Sequence, residues 1–266
     1  MDLQLGGRRA LVTGGSRGIG KAVARGLLAE GAQVALLARN EQGLREAVAE
    51  LGASGARVVG VVADTTRDEQ VRDAVRQAAA QLGGAIEILV NAAAEPAGYA
   101  RPPQLEQIRA EQLHAEVDTK VMGYLRCARE VVPGMRELGW GRIVNVSGLA
   151  ARQTGNTVGS IRNVAVAALT KNLGDELGPH GIQVSVVHPG VTRTERTAAL
   201  VAHRAQQRGV PEQTIEQEMA AMNSIGHLVE ASEVADVVVF LCSPRSRAIN
   251  GDAIAAGGGT PRSIHY

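Results

Sequence analysis

The chain has 266 residues, 45% of them apolar and 21% charged, enough for a sizeable core in one large α/β domain or two small ones. Its formal charge of +1, from 28 basic and 27 acidic residues, implies no nucleic-acid or membrane partner through long-range electrostatics. One Trp, one Phe and three Tyr leave little for a base-stacking surface. The two cysteines, Cys127 and Cys242, stand far apart without metal-ligating neighbours, so reduced, buried thiols are expected and a metal site is not. The N-terminal MDLQLGGRRA holds no apolar run suited to a signal peptide, and no segment approaches membrane-spanning length. The expectation is a soluble cytoplasmic protein.

Short apolar runs rich in β-branched residues alternate with longer helical patterns. RRALVTG (8–14) reads as a strand and residues 19–30 as a helix stopped by Gly31. AQVALLA (32–38) is a second strand, followed by a helix over 41–51. ARVVGVVAD (56–64) and EILVNAA (87–93) are strands flanking a helix at 68–82. A long helix is expected from about 115 to 138, then the strand GRIVNVS (141–147). Residues 158–178 form the next helix, GIQVSVVHPG (181–190) a strand, 231–241 a helix, and DAIAAGGG (252–259) a last short strand. Such alternation predicts a doubly wound parallel sheet with helices on both faces, in a single domain over 1–266. Residues 193–230 are the one extended excursion, helical and polar, placed after a strand end where open α/β sheets bind ligands. They read either as a lid or as a surface helical insertion.

TGGSRGIG (13–20) lies between the first strand and first helix. Gly14, Gly18 and Gly20 let the backbone approach a pyrophosphate and let helix pack on strand. The second strand ends at Ala38, and Arg39 and Asn40 follow where an NAD site usually carries an acid. Arg39 and Arg17 instead offer two guanidinium groups suited to a 2′-phosphate, which favours NADP(H).

TGGSRGIG, Asp64 after the third strand, NAAA (91–94) after the fourth, NVS (145–147) after the fifth and HPGVTRT (188–194) after the sixth resemble the short-chain dehydrogenase/reductase family. The resemblance spans nearly the whole chain. It implies a Rossmann-like sheet of seven strands and a tetramer formed through the helices beginning near residues 115 and 158. It also implies cofactor contacts from Gly14, Ser16, Arg17, Gly18, Ile19, Gly20, Arg39, Asp64, Asn91 and Thr194. Of these, Asp64 would bond the adenine, Asn91 would steady the central strand, and Thr194 would hold the nicotinamide carboxamide. Ala92 and Ala94 depart mildly from the family's Asn-Asn-Ala-Gly pattern.

The family's chemistry uses a Tyr and a Lys four residues later at the head of the helix after the fifth strand. The Tyr exchanges a proton with the substrate oxygen, and the Lys lowers its pKa. Counting back from ALTKNL (168–173) and Pro189-Gly190 places the Tyr position at Gly159 and the Lys position at Asn163. Tyr99, Tyr124 and Tyr266 are the only tyrosines, and none has Lys four residues on. The family's interface-helix Asn falls at Lys120, and the Ser at Ser147. Gly159 is expected to leave a space about the size of a phenol ring.

Three readings follow. One is an atypical NADP(H) oxidoreductase acting on a moderately sized organic carbonyl or alcohol, with Lys120 reaching toward Asn163 and Ser147, Ser160 or a water in the Gly159 space polarising the carbonyl. Another is non-redox catalysis in the same cleft, an oxyanion or enolate being stabilised by Arg162, Arg152 and Lys120 with His188 recruited as base; a structural His188 is the alternative. The third is a catalytically silent subunit paired with an active relative in a hetero-oligomer. For Lys120 the competing role is a helix-surface or interface lysine, and for Ser160 and Asn163 it is helix capping. Tyr99 reads as a pocket liner, and the tail could bring His265 or Tyr266 into a neighbouring subunit's site.

Overall fold

The computed structural model describes residues 1–94 and 102–261. Seven strands form one parallel sheet: β1 (Arg9–Thr13), β2 (Gln33–Ala38), β3 (Val58–Val62), β4 (Ile88–Asn91), β5 (Gly141–Val146), β6 (Ile182–Pro189) and β9 (Ala253–Ala256). Their order is β3-β2-β1-β4-β5-β6-β9, so the direction of winding reverses between β1 and β4. A crevice opens at such a reversal, outside the carboxyl ends of the strands.

Period-two alternation divides the sheet residues between two apolar layers. Val12, Leu36, Ile88, Val90 and Val144 face α1 (Gly18–Ala29), α2 (Glu41–Gly52) and α9 (Ala231–Cys242). Leu11, Leu37, Leu89 and Ile143 face α3 (Asp68–Leu82) and α5 (Gly123–Leu138). The α6 helix (Thr157–Leu177) lies on the second face, where Val166 packs on Tyr124 and Val186. Local chemistry sets several of the helix ends. Asp68 and Glu69 occupy the first turn of α3, and Gly83 closes it with φ 79°, which favours the macrodipole and a left-handed C-cap. Asn40 caps α2 by accepting from the Gly43 N–H.

The helix expected from about residue 115 begins earlier, as α4 (Ala110–Val117), and passes through a π turn at Asp118–Met122 before continuing as α5. That widened turn carries Lys120. The excursion after β6 holds β7 (Thr192–Arg193), α7 (Thr197–Arg208), α8 (Glu212–Ala220) and β8 (Val229–Glu230). Val201, Ala205, Ile215, Met219 and Leu228 give it a small apolar cluster of its own. Arg193 ties β7 to α8 and β8 through Glu216 and Glu230.

At the amino ends of the strands, far from the crevice, Trp140 is flanked by two guanidinium groups. Arg8 lies 4.0 Å and Arg142 4.6 Å from its ring centroid. Buried Glu87 bonds Arg8 Nη1 at 2.6 Å and Arg9 through both the backbone N–H and Nη2. Among the described residues no helix is long and apolar enough to cross a membrane.

Candidate active site

A cleft of about 1010 Å³ lies along the carboxyl ends of the strands. Its floor at one end is the loop between β1 and α1, where Gly14, Ser16, Arg17, Gly18, Ile19 and Gly20 line it. Two glycines are required there by space. Gly14 has φ 66°, and a Cβ on it would lie 2.8 Å from the Ala92 carbonyl oxygen; a Cβ on Gly20 would collide with the Gly14 carbonyl. Thr13 Oγ1 accepts from the N–H groups of both Ala92 and Ala93, at 3.1 Å each, locking this loop to the end of β4.

The loop binds an anion in this structure. Gly18 N–H, the first of α1, donates to Glu195 Oε2 at 2.9 Å, and Lys21 Nζ lies 3.0 Å from Glu195 Oε1. Burial alone would raise the Glu195 carboxyl, but these partners hold it below the ordinary value. A carboxylate seated on a helix N-terminus fits the loop's expected role as a phosphate cradle, and the residues present therefore suit a dinucleotide. Arg39, Asn40 and Gly43 extend the same wall at the end of β2. Thr194 also lines the cleft, its backbone N–H bonded to Thr197 Oγ1 at 2.8 Å.

Two expected contact residues stand back from the cleft. Asp64 Oδ1 is engaged at 2.9 Å by both the N–H and the hydroxyl of Thr66, while its neighbours Ala63 and Thr65 line the space. Asn91 is fully buried and donates to Asn145 Oδ1 at 2.9 Å; Asn145 donates in turn to Thr170. This chain of amides bridges β4, β5 and α6.

At the other end of the cleft, Lys120, Ser147, Arg162 and Asn163 come together on its wall. Lys120 is 5% exposed, and its Nζ donates to the Ser147 carbonyl at 2.8 Å. Burial first, and then the Arg162 cation, bring its pKa from 10.5 down to about 7 against the opposing pull of Glu116. Lys120 is thus neither a helix-surface nor an exposed interface residue. It reaches the end of β5 rather than Asn163 itself. Ser147 Oγ donates to the Asn163 backbone carbonyl at 3.2 Å. Asn163 Nδ2 donates to the Gly148 carbonyl at 3.3 Å, and its Oδ1 accepts from Arg162 Nε at 3.1 Å. Arg162 also pairs with Glu116 on α4.

The root of the space expected at Gly159 is already taken. A Cβ there would lie 2.7 Å from Asn156 Nδ2, because Asn156 folds back to cap α6 and accepts from the Gly159 N–H at 2.9 Å. Gly159 is buried and is not part of the cleft wall. Ser160 donates to the Gln153 carbonyl at 2.9 Å. His188 is buried and held down to about 4, chiefly by desolvation and then by Arg152 and Lys120; its Nδ1 accepts from the Gly148 N–H. A neutral ring with that acceptor role is structural rather than a base. Arg152 donates to the Ala253 carbonyl. Tyr99, His265 and Tyr266 lie outside the described residues. Two contributors escaped the sequence reading, Asn156 and Glu195. An Asn three residues before a helical Gly is a capping signal that was there to use; Glu195 carries no local signal beyond its place after Thr194.

The family model for short chain dehydrogenase matches residues 8–205. The chain belongs to the short-chain dehydrogenase/reductase family. It is 34% identical over 253 residues to the short-chain reductase protein NovJ of Streptomyces niveus, covering 95% of this chain and 93% of that one. It is 32% identical over 262 residues to dehydrogenase/reductase SDR family member 4 of Homo sapiens, covering 98% and 90%. Among solved structures, L-sorbose reductase from Gluconobacter frateurii, complexed with NADPH and L-sorbose, superposes with a TM-score of 0.91 at 29% identity over 99% of this chain and all of that one. An actinorhodin polyketide ketoreductase variant with NADPH gives 0.87 at 32% identity, covering 96% and 98%.

Proposed function

We propose that the protein is an NADP(H)-dependent oxidoreductase that reduces a small organic carbonyl compound without the family's Tyr/Lys pair, Lys120 supplying the proton. The observation that carries this reading is the Lys120 ammonium, buried in the cleft wall 2.8 Å from the Ser147 carbonyl, in a site where Gly159 and Asn163 take the positions of the family's acid and its partner. NADP(H) is supported by the arginines at positions 17 and 39 and by the NADPH-bound neighbours. Gly14, Ser16, Gly18, Ile19 and Gly20 would hold its diphosphate, Arg17 and Arg39 its 2′-phosphate, and Thr194 its carboxamide, with Asp64 and Asn91 shaping the strand ends behind them. The chemistry that NADPH brings to such a cleft is hydride donation to a carbonyl carbon.

The chain's own task is to orient the substrate and protonate its oxygen. Lys120, at about 7, is poised to give up a proton near neutrality, where a general acid is most effective. The Ser147 hydroxyl donates to the Asn163 carbonyl and the Asn163 amide donates to the Gly148 carbonyl, bracing the strand end against the helix. The 193–230 excursion acts as a lid, contributing Thr194, Glu195 and Met222 to the cleft wall. Association into a homotetramer through α5 and α6 is supported by apolar side chains left in solvent there, Ile161 and Val164 on α6 and Met122 at the turn leading into α5. We place the protein in the cytoplasm.

The test is a titration with NADPH and NADH followed by nicotinamide fluorescence, then turnover on ketones and aldehydes. The reading requires preference for NADPH and a loss of about 100-fold or more in kcat for Lys120→Met. Tight NADPH binding without turnover points to a silent subunit paired with an active relative. Failure to bind either nucleotide removes the cofactor assignment.

A further inference from the structure

Only three of the 28 basic residues are lysines: Lys21, Lys120 and Lys171. Lys21 pairs with Glu50 and Glu195, and Lys171 with Asp175. Lys120 differs from both. It is buried in the cleft wall, and its bonded partner is a neutral carbonyl, that of Ser147. The charged and titratable groups facing it are Arg162 from α6, Glu116 from α4 and His188 from β6. Glu116 is committed to Arg162, and His188 is neutral across the working range. Lys120 also stands on a π turn, a distortion found often at functional sites. A lysine removed from water beside a second cation keeps a share of its amine unprotonated at neutral pH, which is how lysines become nucleophiles toward carbonyl carbon.

We propose that Lys120 Nζ adds to carbonyl compounds bound in the cleft, and that the protein thereby decarboxylates 3-keto acids without nucleotide. The N–C bond forms as the carbonyl π pair moves to oxygen, which takes a proton from solvent. Loss of that oxygen as water leaves an iminium ion on Lys120. The bond from the α carbon to the carboxylate then breaks, its electron pair passes to the iminium nitrogen, and carbon dioxide departs. The enamine takes a proton at carbon, and water releases a ketone and the free amine. The net change is one 3-keto acid anion and one proton giving one ketone and one carbon dioxide.

Two features select this outcome among imine reactions. Arg162 lines the same wall as Lys120; its Nη1 is paired with Glu116 and its Nε with Asn163 Oδ1, and a substrate carboxylate would join or exchange with Glu116 on that guanidinium, the side chain best shaped for it. Reactions that remove an α proton need a base beside the iminium. The acids lining the cleft among the described residues are Glu46, Glu50 and Glu195; the first two lie on α2, the third, from the turn before α7, is bonded to the Gly18 N–H and Lys21, and Glu116, which faces Lys120, is held in its pair with Arg162. Loss of carbon dioxide needs no such base.

The experiment uses the full-length protein without nucleotide and acetoacetate as the probe, so its outcome is independent of whether NADPH binds. Carbon dioxide release above the uncatalysed rate is measured, and the imine is trapped with sodium borohydride and located by peptide mapping. The proposal requires a reduced adduct on Lys120, not on Lys21 or Lys171, and release at least about tenfold lower in Lys120→Met, with the variant's fold checked by its urea transition. Trapping should grow between about pH 6 and pH 8 as the amine form fills, while reduction with NADPH falls over the same interval. No adduct on Lys120, equal labelling of all three lysines, or release unchanged in Lys120→Met overturns it.

Discussion

Replacing Lys120 by Met should stabilise the protein while disabling it, and the size of the effect follows from burial. The amine titrates at 10.5 in the open chain and at about 7 in the fold. At 1.36 kcal/mol per pH unit, that interval makes the buried ammonium about 5 kcal/mol less favourable than its unfolded counterpart. The sign follows from proton counts. Between about pH 7 and pH 10.5 the unfolded chain holds the proton and the fold does not, so stability rises with pH across that window. Below about pH 7 the whole penalty is present. Methionine removes it, losing only the bond to the Ser147 carbonyl, worth about 1 kcal/mol. The net gain near pH 6.5 is therefore about 4 kcal/mol, or about 8 to 16 °C in Tm for a chain of this size. Above about pH 10 the variant should instead be slightly less stable than the parent. Urea midpoints for both proteins at several pH values measure this directly. Parallel stability curves, or a variant weakened at pH 6.5, would refute a buried, strained ammonium at this site.

Other perturbations test the remaining contacts. Glu195→Gln removes a negative charge from the Gly18 N–H and Lys21, and nucleotide affinity should rise by about 3- to 10-fold because a diphosphate no longer competes with a carboxylate; 2′-AMP, which lacks the diphosphate, should bind as before in a fluorescence-displacement assay. Arg39→Ala should weaken NADPH by about tenfold or more and NADH far less, read by the same titration. Asn156→Ala loses the α6 cap and should cost about 1 kcal/mol in chemical denaturation. Glu87→Ala removes a buried carboxylate from the part-exposed Arg8 and Arg9 and should cost about 1 to 2 kcal/mol in chemical denaturation; an unchanged stability would mean that the Trp140 ring and the Ala85 carbonyl hold the two arginines without it.

Strands and helices were legible because their signals are local. The helix at Asp68–Leu82 is bounded by two acids and a glycine, and the strands of the sheet are short apolar runs, several of them rich in β-branched residues. The cradle for an anion was equally legible from three glycines at fixed spacing. The π turn was not, since one extra residue per turn leaves no mark on an apolar period near 3.6. Nor was the burial of Lys120, whose partner is a backbone carbonyl 27 residues further along the chain. The occupied Cβ position at Gly159 illustrates a different limit. Deleting a side chain from an aligned position says nothing about which neighbour closes on its root, and here a capping asparagine does so.

The indole of Trp140, gripped between Arg8 and Arg142 at the amino ends of the strands, is the chain's single tryptophan. Every excited-state signal from that chromophore therefore originates at one rigid point on the side of the sheet opposite the cleft. Its emission spectrum reports whether the sheet is intact, because melting exchanges two guanidinium faces for water. Energy transfer from it to a reduced nicotinamide reports a single donor–acceptor separation per chain. One fluorophore thus reads folding and cofactor occupancy as two separable observables in a single cuvette.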